Sequence, residues 1–143
     1  MKWAALIAWV VTAGLGFAML AVWLKRGGMR QSASGRIRPP LILSHFLLAA
    51  AGLVLWIVYI ADDSDTVKWI AFGALVVVAL LGWTMFFIWA KQRSMRSQPV
   101  ESAVPAVGPA EQHFPIGVIA LHGLAAVTTV VLVFLTAIGV GGS

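Results

Sequence analysis

Four long apolar runs dominate the chain, and polar residues are confined to the segments between them. The runs cover residues 3–24, 41–61, 67–90 and 116–140. Each reaches the roughly 18–20 residues that an α-helix needs to cross the hydrocarbon core of a bilayer. The pattern therefore predicts an all-α fold of four membrane-spanning helices.

The charges between these runs predict the topology. Segment 25–40 carries five basic residues and no acidic one, whereas the short turn after residue 61 holds three of the five acids. Segment 91–115 begins with further basic residues. Basic loops stay in the cytoplasm, so we expect an up-down-up-down four-helix bundle with the N-terminus and the C-terminus outside the cytoplasm.

Composition supports one membrane domain over 1–143. Hydrophobic residues make up 61% of the chain and charged residues only 10%, which excludes an ordinary water-soluble domain. Segment 91–115 is rich in Ser, Pro, Ala and Gln, and we expect it to be a flexible cytoplasmic loop. We expect a multi-pass protein of the cell membrane.

The net charge of +5 is accounted for by the loops beside the apolar runs, so no nucleic-acid partner is predicted. The predicted partners are the lipid bilayer and either other membrane subunits or further copies of the chain. Four tryptophans lie near helix ends, where such residues anchor helices at the interface: Trp3, Trp23, Trp69 and Trp89.

Recognisable catalytic motifs are lacking in the sequence. There is no cysteine, which excludes thiolate metal sites and a cysteine nucleophile. No Gly-rich phosphate loop, nucleophile elbow or zincin motif occurs either. The sequence therefore favours a function other than enzymatic catalysis, and no catalytic residue is predicted.

Charged residues lie at the ends of the apolar runs, and His45 and His122 are the exceptions that lie inside them. Such residues are energetically costly in a membrane and mark functional sites by default. The second and fourth helices run in the same direction, and the two histidines lie at depths that differ by only about 3 Å, at about 1.5 Å of rise per residue. Both imidazoles can therefore point into the bundle at one level.

Two facing neutral imidazoles are what a six-coordinate haem b requires, so haem b is the candidate cofactor, with His45 and His122 as axial ligands of its iron. Small residues beyond each histidine, among them Ala49, Gly52 and Ala126, leave space for the macrocycle. Basic residues at the cytoplasmic boundary could pair with the propionates, namely Arg36, Arg38, Lys91 and Arg93.

One histidine on each of two helices in a four-helix bundle resembles the general plan of small membrane cytochromes b. The resemblance implies one haem at most, because neither helix carries a second histidine inside its apolar run. It implies an electron-transfer or accessory subunit. Both halves of the chain also have the same order of elements: a helix, a basic loop that ends in proline, and a helix with a histidine near its start. This common order indicates a distant internal duplication.

Alternative roles for the histidines remain open at this point. Each could bond a backbone carbonyl, or a neighbour such as Ser44 or Gln112, in a cofactor-free structural or assembly subunit. A metal ion could be held by the pair together with His113 or Glu111. A small transporter is a further alternative, as an oligomer, since the apolar runs contain no Asp, Glu, Lys or Arg relay.

Overall fold

The structure, a computed structural model, describes residues 1–30, 37–96 and 109–140. These residues form four long helices, α1 (Lys2–Lys25), α2 (Pro39–Asp62), α3 (Asp65–Arg96) and α4 (Ile116–Ala137), and two short 3-10 turns, Gly28–Arg30 and Ala110–His113. Each long helix is apolar and long enough to cross a membrane. The prediction of a multi-pass, all-α membrane protein with four spans is confirmed.

Two helix ends lie away from the boundaries that hydropathy predicts. Helix α3 continues to Arg96 because residues 91–95 contain no glycine or proline and include good helix formers, so the first part of segment 91–115 is helical. Helix α4 stops at Ala137 because Gly139 adopts a φ of +83°. The N–H of Val140 donates to the carbonyl of Leu135 there, which is a Schellman ending.

The bundle consists of two helix pairs. Helix α1 packs most extensively against α4, and α2 against α3, whereas contacts between the pairs are sparser. We call the end with the α2–α3 turn the hairpin end, and the opposite end, where α1 ends and α2 begins, the loop end. The charge pattern predicts that the loop end faces the cytoplasm.

A dense hydrophobic core fills the hairpin end. Its largest member, Trp56, is completely buried, and its indole N–H donates to the Lys2 carbonyl at 3.2 Å. Aromatic side chains of this size contribute much of the energy of a core, so the two helix pairs are joined firmly here. The cluster contains Ala5, Trp9, Trp56, Tyr59, Ala71, Leu75 and Val133.

The loop end is closed by a different set of buried side chains. Trp23 and Trp89 are 1% and 8% exposed, so these two are buried in the bundle rather than being the interface anchors that the sequence predicted. Trp3 and Trp69 are exposed, and their role as anchors stays a prediction. Glu111 is also buried, and its carboxylate accepts the backbone N–H of Ile37 at 3.0 Å. This bond joins the start of α2 to the turn before α4.

Helices α1 and α3 correspond in sequence at one constant spacing, without a gap. His45 on α2 contacts Val78 of α3, and His122 on α4 contacts Thr12 of α1, which is the position that corresponds to Val78. Exchanging α1 with α3 and α2 with α4 therefore relates one helix pair to the other, which supports the internal duplication. The identical positions include Lys2 and Lys68, Trp3 and Trp69, Ala5 and Ala71, Gly16 and Gly82, Trp23 and Trp89, and Lys25 and Lys91.

The orientation in the membrane gives the first testable prediction. A reporter enzyme that is active only after export, fused after Ser143, should be active because an even number of spans returns the chain to the outside. The same reporter fused after Met95, at the end of three spans, is the matched control and should be inactive. The reverse pattern of activities would contradict the predicted orientation.

Candidate functional site

The two intramembrane histidines meet between the helix pairs. The ring centres of His45 and His122 are 6.5 Å apart, and the ring planes are inclined at 59°. His45 is on α2 of one pair and His122 on α4 of the other. The structure thus brings together, at one level of the bundle, the two residues that the sequence singles out.

Each imidazole is held by a backbone carbonyl of the other helix in its own pair. His45 Nδ1 lies 3.0 Å from the Val78 carbonyl oxygen on α3, and His122 Nδ1 lies 3.0 Å from the Thr12 carbonyl oxygen on α1. A carbonyl only accepts hydrogen bonds, so Nδ1 carries the proton in both rings. The Nε2 atoms are then unprotonated and have a lone pair to offer.

Glycines leave room for both contacts between an imidazole and a carbonyl. Gly82 and Gly16 lie four residues after the accepting carbonyls, and a side chain at these positions would point towards the helix N-terminus and cover the carbonyls. A Cβ added at Gly16 would be 3.2 Å from His122 Cε1, and one at Gly82 would be 3.3 Å from His45 Cε1. The Nδ1–Cε1 edge of each ring therefore faces the other helix of its own pair.

Inward-facing positions at the level of the histidines are small and only partly buried. Each of these positions lies one helical turn after a core residue or after one of the two histidines. They are Ala13, Ala49, Ala79 and Ala126. In the hairpin end the corresponding faces carry large, buried side chains. The two helix pairs are therefore packed less completely around the histidines than in the core.

The side of the histidines that faces the hairpin end is occupied by other side chains. Towards the hairpin end, the sequence predicted that Gly52 leaves room for a macrocycle, but the Trp9 ring covers it, 3.0 Å from where a Cβ would be. Thr129 is buried, and its hydroxyl lies 3.1 Å from that of Thr12. Gly52 therefore does not leave the space that the sequence predicted on this side.

The basic residues predicted to pair with the propionates do not form one cluster in the described part of the chain. Arg38 is exposed and lines a surface groove between α2 and α3, together with Ser44 and Leu81. Lys91 is exposed on α3, and the Arg93 guanidinium lies 5.7 Å from the centre of the Trp89 ring. Arg36 falls outside the described residues. Among the described ones, Arg93 is thus the one that contacts a buried side chain of the loop end, Trp89.

The residues of the metal alternative do not gather around the histidine pair. Glu111 is buried against Ile37, and His113 is exposed at the end of its 3-10 turn. Within the described ranges, no three His, Cys, Asp or Glu side chains lie close enough to share a metal ion. The geometry of the described site is that of two facing imidazoles.

Trp89 adds a feature that sequence reasoning missed. Among the described side chains, its indole nitrogen is the buried polar atom without a hydrogen-bond partner. Trp89, Gly16 and Gly82 all belong to positions that repeat at the constant spacing between α1 and α3, so a search for that spacing could have identified them. The pattern of apolar positions alone could not.

Comparisons with known proteins found no matching family model, no matching curated protein and no matching solved structure.

Proposed function

We propose that this four-span membrane protein binds one haem b between its helix pairs, with Nε2 of His45 and of His122 as the two axial ligands. Its function is then one-electron transfer within the membrane, alone or as a subunit of a larger complex. The observation that carries the proposal is the facing pair of imidazoles, each fixed through Nδ1 to a backbone carbonyl.

The separation of the rings supports this ligation. Two metal–imidazole bonds of about 2.0–2.1 Å each, together with about 1.1 Å from each nitrogen to its ring centre, place the two ring centres about 6.3 Å apart. The observed separation is 6.5 Å. The observed ring separation is therefore compatible with ligation of one iron by both histidines.

The hydrogen bonds at Nδ1 support it as well. Histidines that bind a metal almost always donate the other ring N–H to a carbonyl or carboxylate, which fixes the tautomer and the ring orientation. Val78 and Thr12 provide such carbonyls for His45 and His122. Both rings therefore present an unprotonated nitrogen without further reorganisation.

A haem held by one histidine from each pair would lie between the α1–α4 pair and the α2–α3 pair. Its propionates would face the loop end, where Arg38, Lys91 and Arg93 lie. A haem with ligands on both faces supplies one-electron transfer and leaves no coordination position open.

The test is an absorption spectrum of the full chain, expressed with sufficient haem and purified in mild detergent. We expect a Soret band and the sharp reduced α band of low-spin, bis-histidine iron, at about one haem per chain. A protein purified in folded form without a Soret band, and unable to take up added haem, would contradict the proposal.

A cofactor-free structural or assembly subunit is the second candidate. It is favoured by the same two hydrogen bonds, since His45 joins α2 to α3 and His122 joins α1 to α4 without any ligand. This function predicts a protein that takes up no haem and that purifies together with partner membrane subunits in mild detergent. A stable, colourless monomer without partners would count against it.

A further inference from the structure

The unpartnered indole of Trp89 lies on the loop-end side of the histidine site. Trp89 follows Gly82 by seven residues on α3, which is two helical turns along the same face, or about 10.5 Å. Its side chain is 8% exposed, and Nε1 is buried without a hydrogen-bond partner. Buried donors are nearly always paired in folded proteins, so this N–H is available to an acceptor that is not part of the described chain.

The surroundings of Trp89 favour a negatively charged acceptor. The guanidinium of Arg93 lies over the Trp89 ring, 5.7 Å from its centre, which places a positive charge beside the indole. An indole N–H can only donate, and a hydrogen bond from it to a carboxylate is stronger than one to a neutral oxygen.

Trp23, the equivalent residue in α1, has different surroundings. Its ring packs directly against Gly28, where an added Cβ would overlap the ring. Its indole nitrogen is not among the unpartnered buried atoms of the described residues. The two halves of the repeat therefore differ at this point, and the difference leaves one available donor on α3.

We propose that the Trp89 indole N–H, with Arg93 beside it, forms a carboxylate-binding subsite that receives one propionate of the haem. This rests on the proposed function, because the carboxylate reaches the subsite only if the porphyrin is held by His45 and His122. Trp89 lies two helical turns beyond Gly82, the glycine next to the His45 ring, on the side of the loop end. Trp89 is thus a ligand-binding residue of the site rather than an interface anchor.

The test compares haem b with its dimethyl ester, which lacks both carboxylates. The full chain and its Trp89→Phe variant are titrated with each compound in detergent, and binding is followed at the Soret band. We expect Trp89→Phe to weaken haem binding about tenfold and to weaken binding of the ester, whose carbonyls are neutral acceptors, by less. Binding of the ester also shows that the variant is folded.

Two further variants sharpen the comparison. Arg93→Gln should also lower the affinity for haem more than the affinity for the ester, because it removes the charge beside the indole. Trp23→Phe is the matched control, and its ratio of haem affinity to ester affinity should equal that of the unchanged protein.

The outcomes separate the two proposals. An unaltered ratio of the two affinities in Trp89→Phe would overturn the subsite while leaving the haem proposal intact. Failure of the unchanged protein to bind either compound would overturn the haem proposal itself, and the subsite with it.

Discussion

His45→Gly and His122→Gly should each abolish the low-spin, bis-histidine spectrum. Either change removes one of two imidazoles whose ring centres are 6.5 Å apart, and the chain has no other histidine inside a membrane-spanning helix. The iron would then keep one protein ligand at most. We expect a shifted Soret band, loss of the sharp reduced α band, and at least a tenfold weaker retention of haem.

Added imidazole distinguishes a lost ligand from a damaged fold. Each glycine variant leaves space for a free imidazole at the position of the missing ring, so millimolar imidazole should restore the low-spin spectrum in both. His113→Gly is the control, because His113 is exposed in the turn before α4, and it should have the spectrum of the unchanged protein. A low-spin spectrum that persists in His45→Gly or His122→Gly without imidazole would remove that residue from the ligand set.

The number and type of the elements could be predicted because membrane helices satisfy all their backbone hydrogen bonds internally. Hydropathy alone then locates them, and the predicted runs differ from the observed helices by only a few residues, except at the end of α3. That extension was missed because residues 91–96 are polar, and a hydropathy pattern ends where the membrane ends. A polar helix can continue into water.

The site could be predicted only in part. His45 and His122 stand out because ionisable residues are costly in an apolar segment. The carbonyls of Val78 and Thr12 could not be identified, since every residue has a carbonyl and only the register between two helices decides which one meets an imidazole. Trp89 was assigned to the interface from its position near a helix end, whereas its burial depends on how α3 rotates against its neighbours.

The two histidines have equivalent surroundings, as an internal duplication would produce. Each has a carbonyl acceptor on the neighbouring helix of its own pair and a glycine four residues after that carbonyl. Differences between the halves are then informative. Trp23 is packed against Gly28 while Trp89 has an unpartnered N–H, so the two halves match at the histidines and differ at these tryptophans.

Gly16→Leu and Gly82→Leu should each reduce haem affinity at least tenfold. Even the Cβ of an alanine would be 3.2 Å from His122 Cε1 at Gly16, and 3.3 Å from His45 Cε1 at Gly82, which requires the ring to move by a few tenths of an ångström. A leucine has three further carbon atoms, and it would displace the imidazole from the carbonyl that orients it. The measurement is a haem titration at the Soret band.

Gly14→Leu and Gly73→Leu are the matched controls, because both glycines are exposed on the same helices and no atom lies within 4 Å of an added Cβ. These variants also replace a glycine by leucine in an apolar helix, but the new side chain does not approach either imidazole. Their haem affinity should therefore stay within about twofold of that of the unchanged protein. Alanine at Gly16 or Gly82 should have an intermediate effect. Equal affinities for Gly16→Leu and Gly14→Leu would show that the ring can bind iron without the contact to α1, and the positioning of His122 would then have to come from α4 alone.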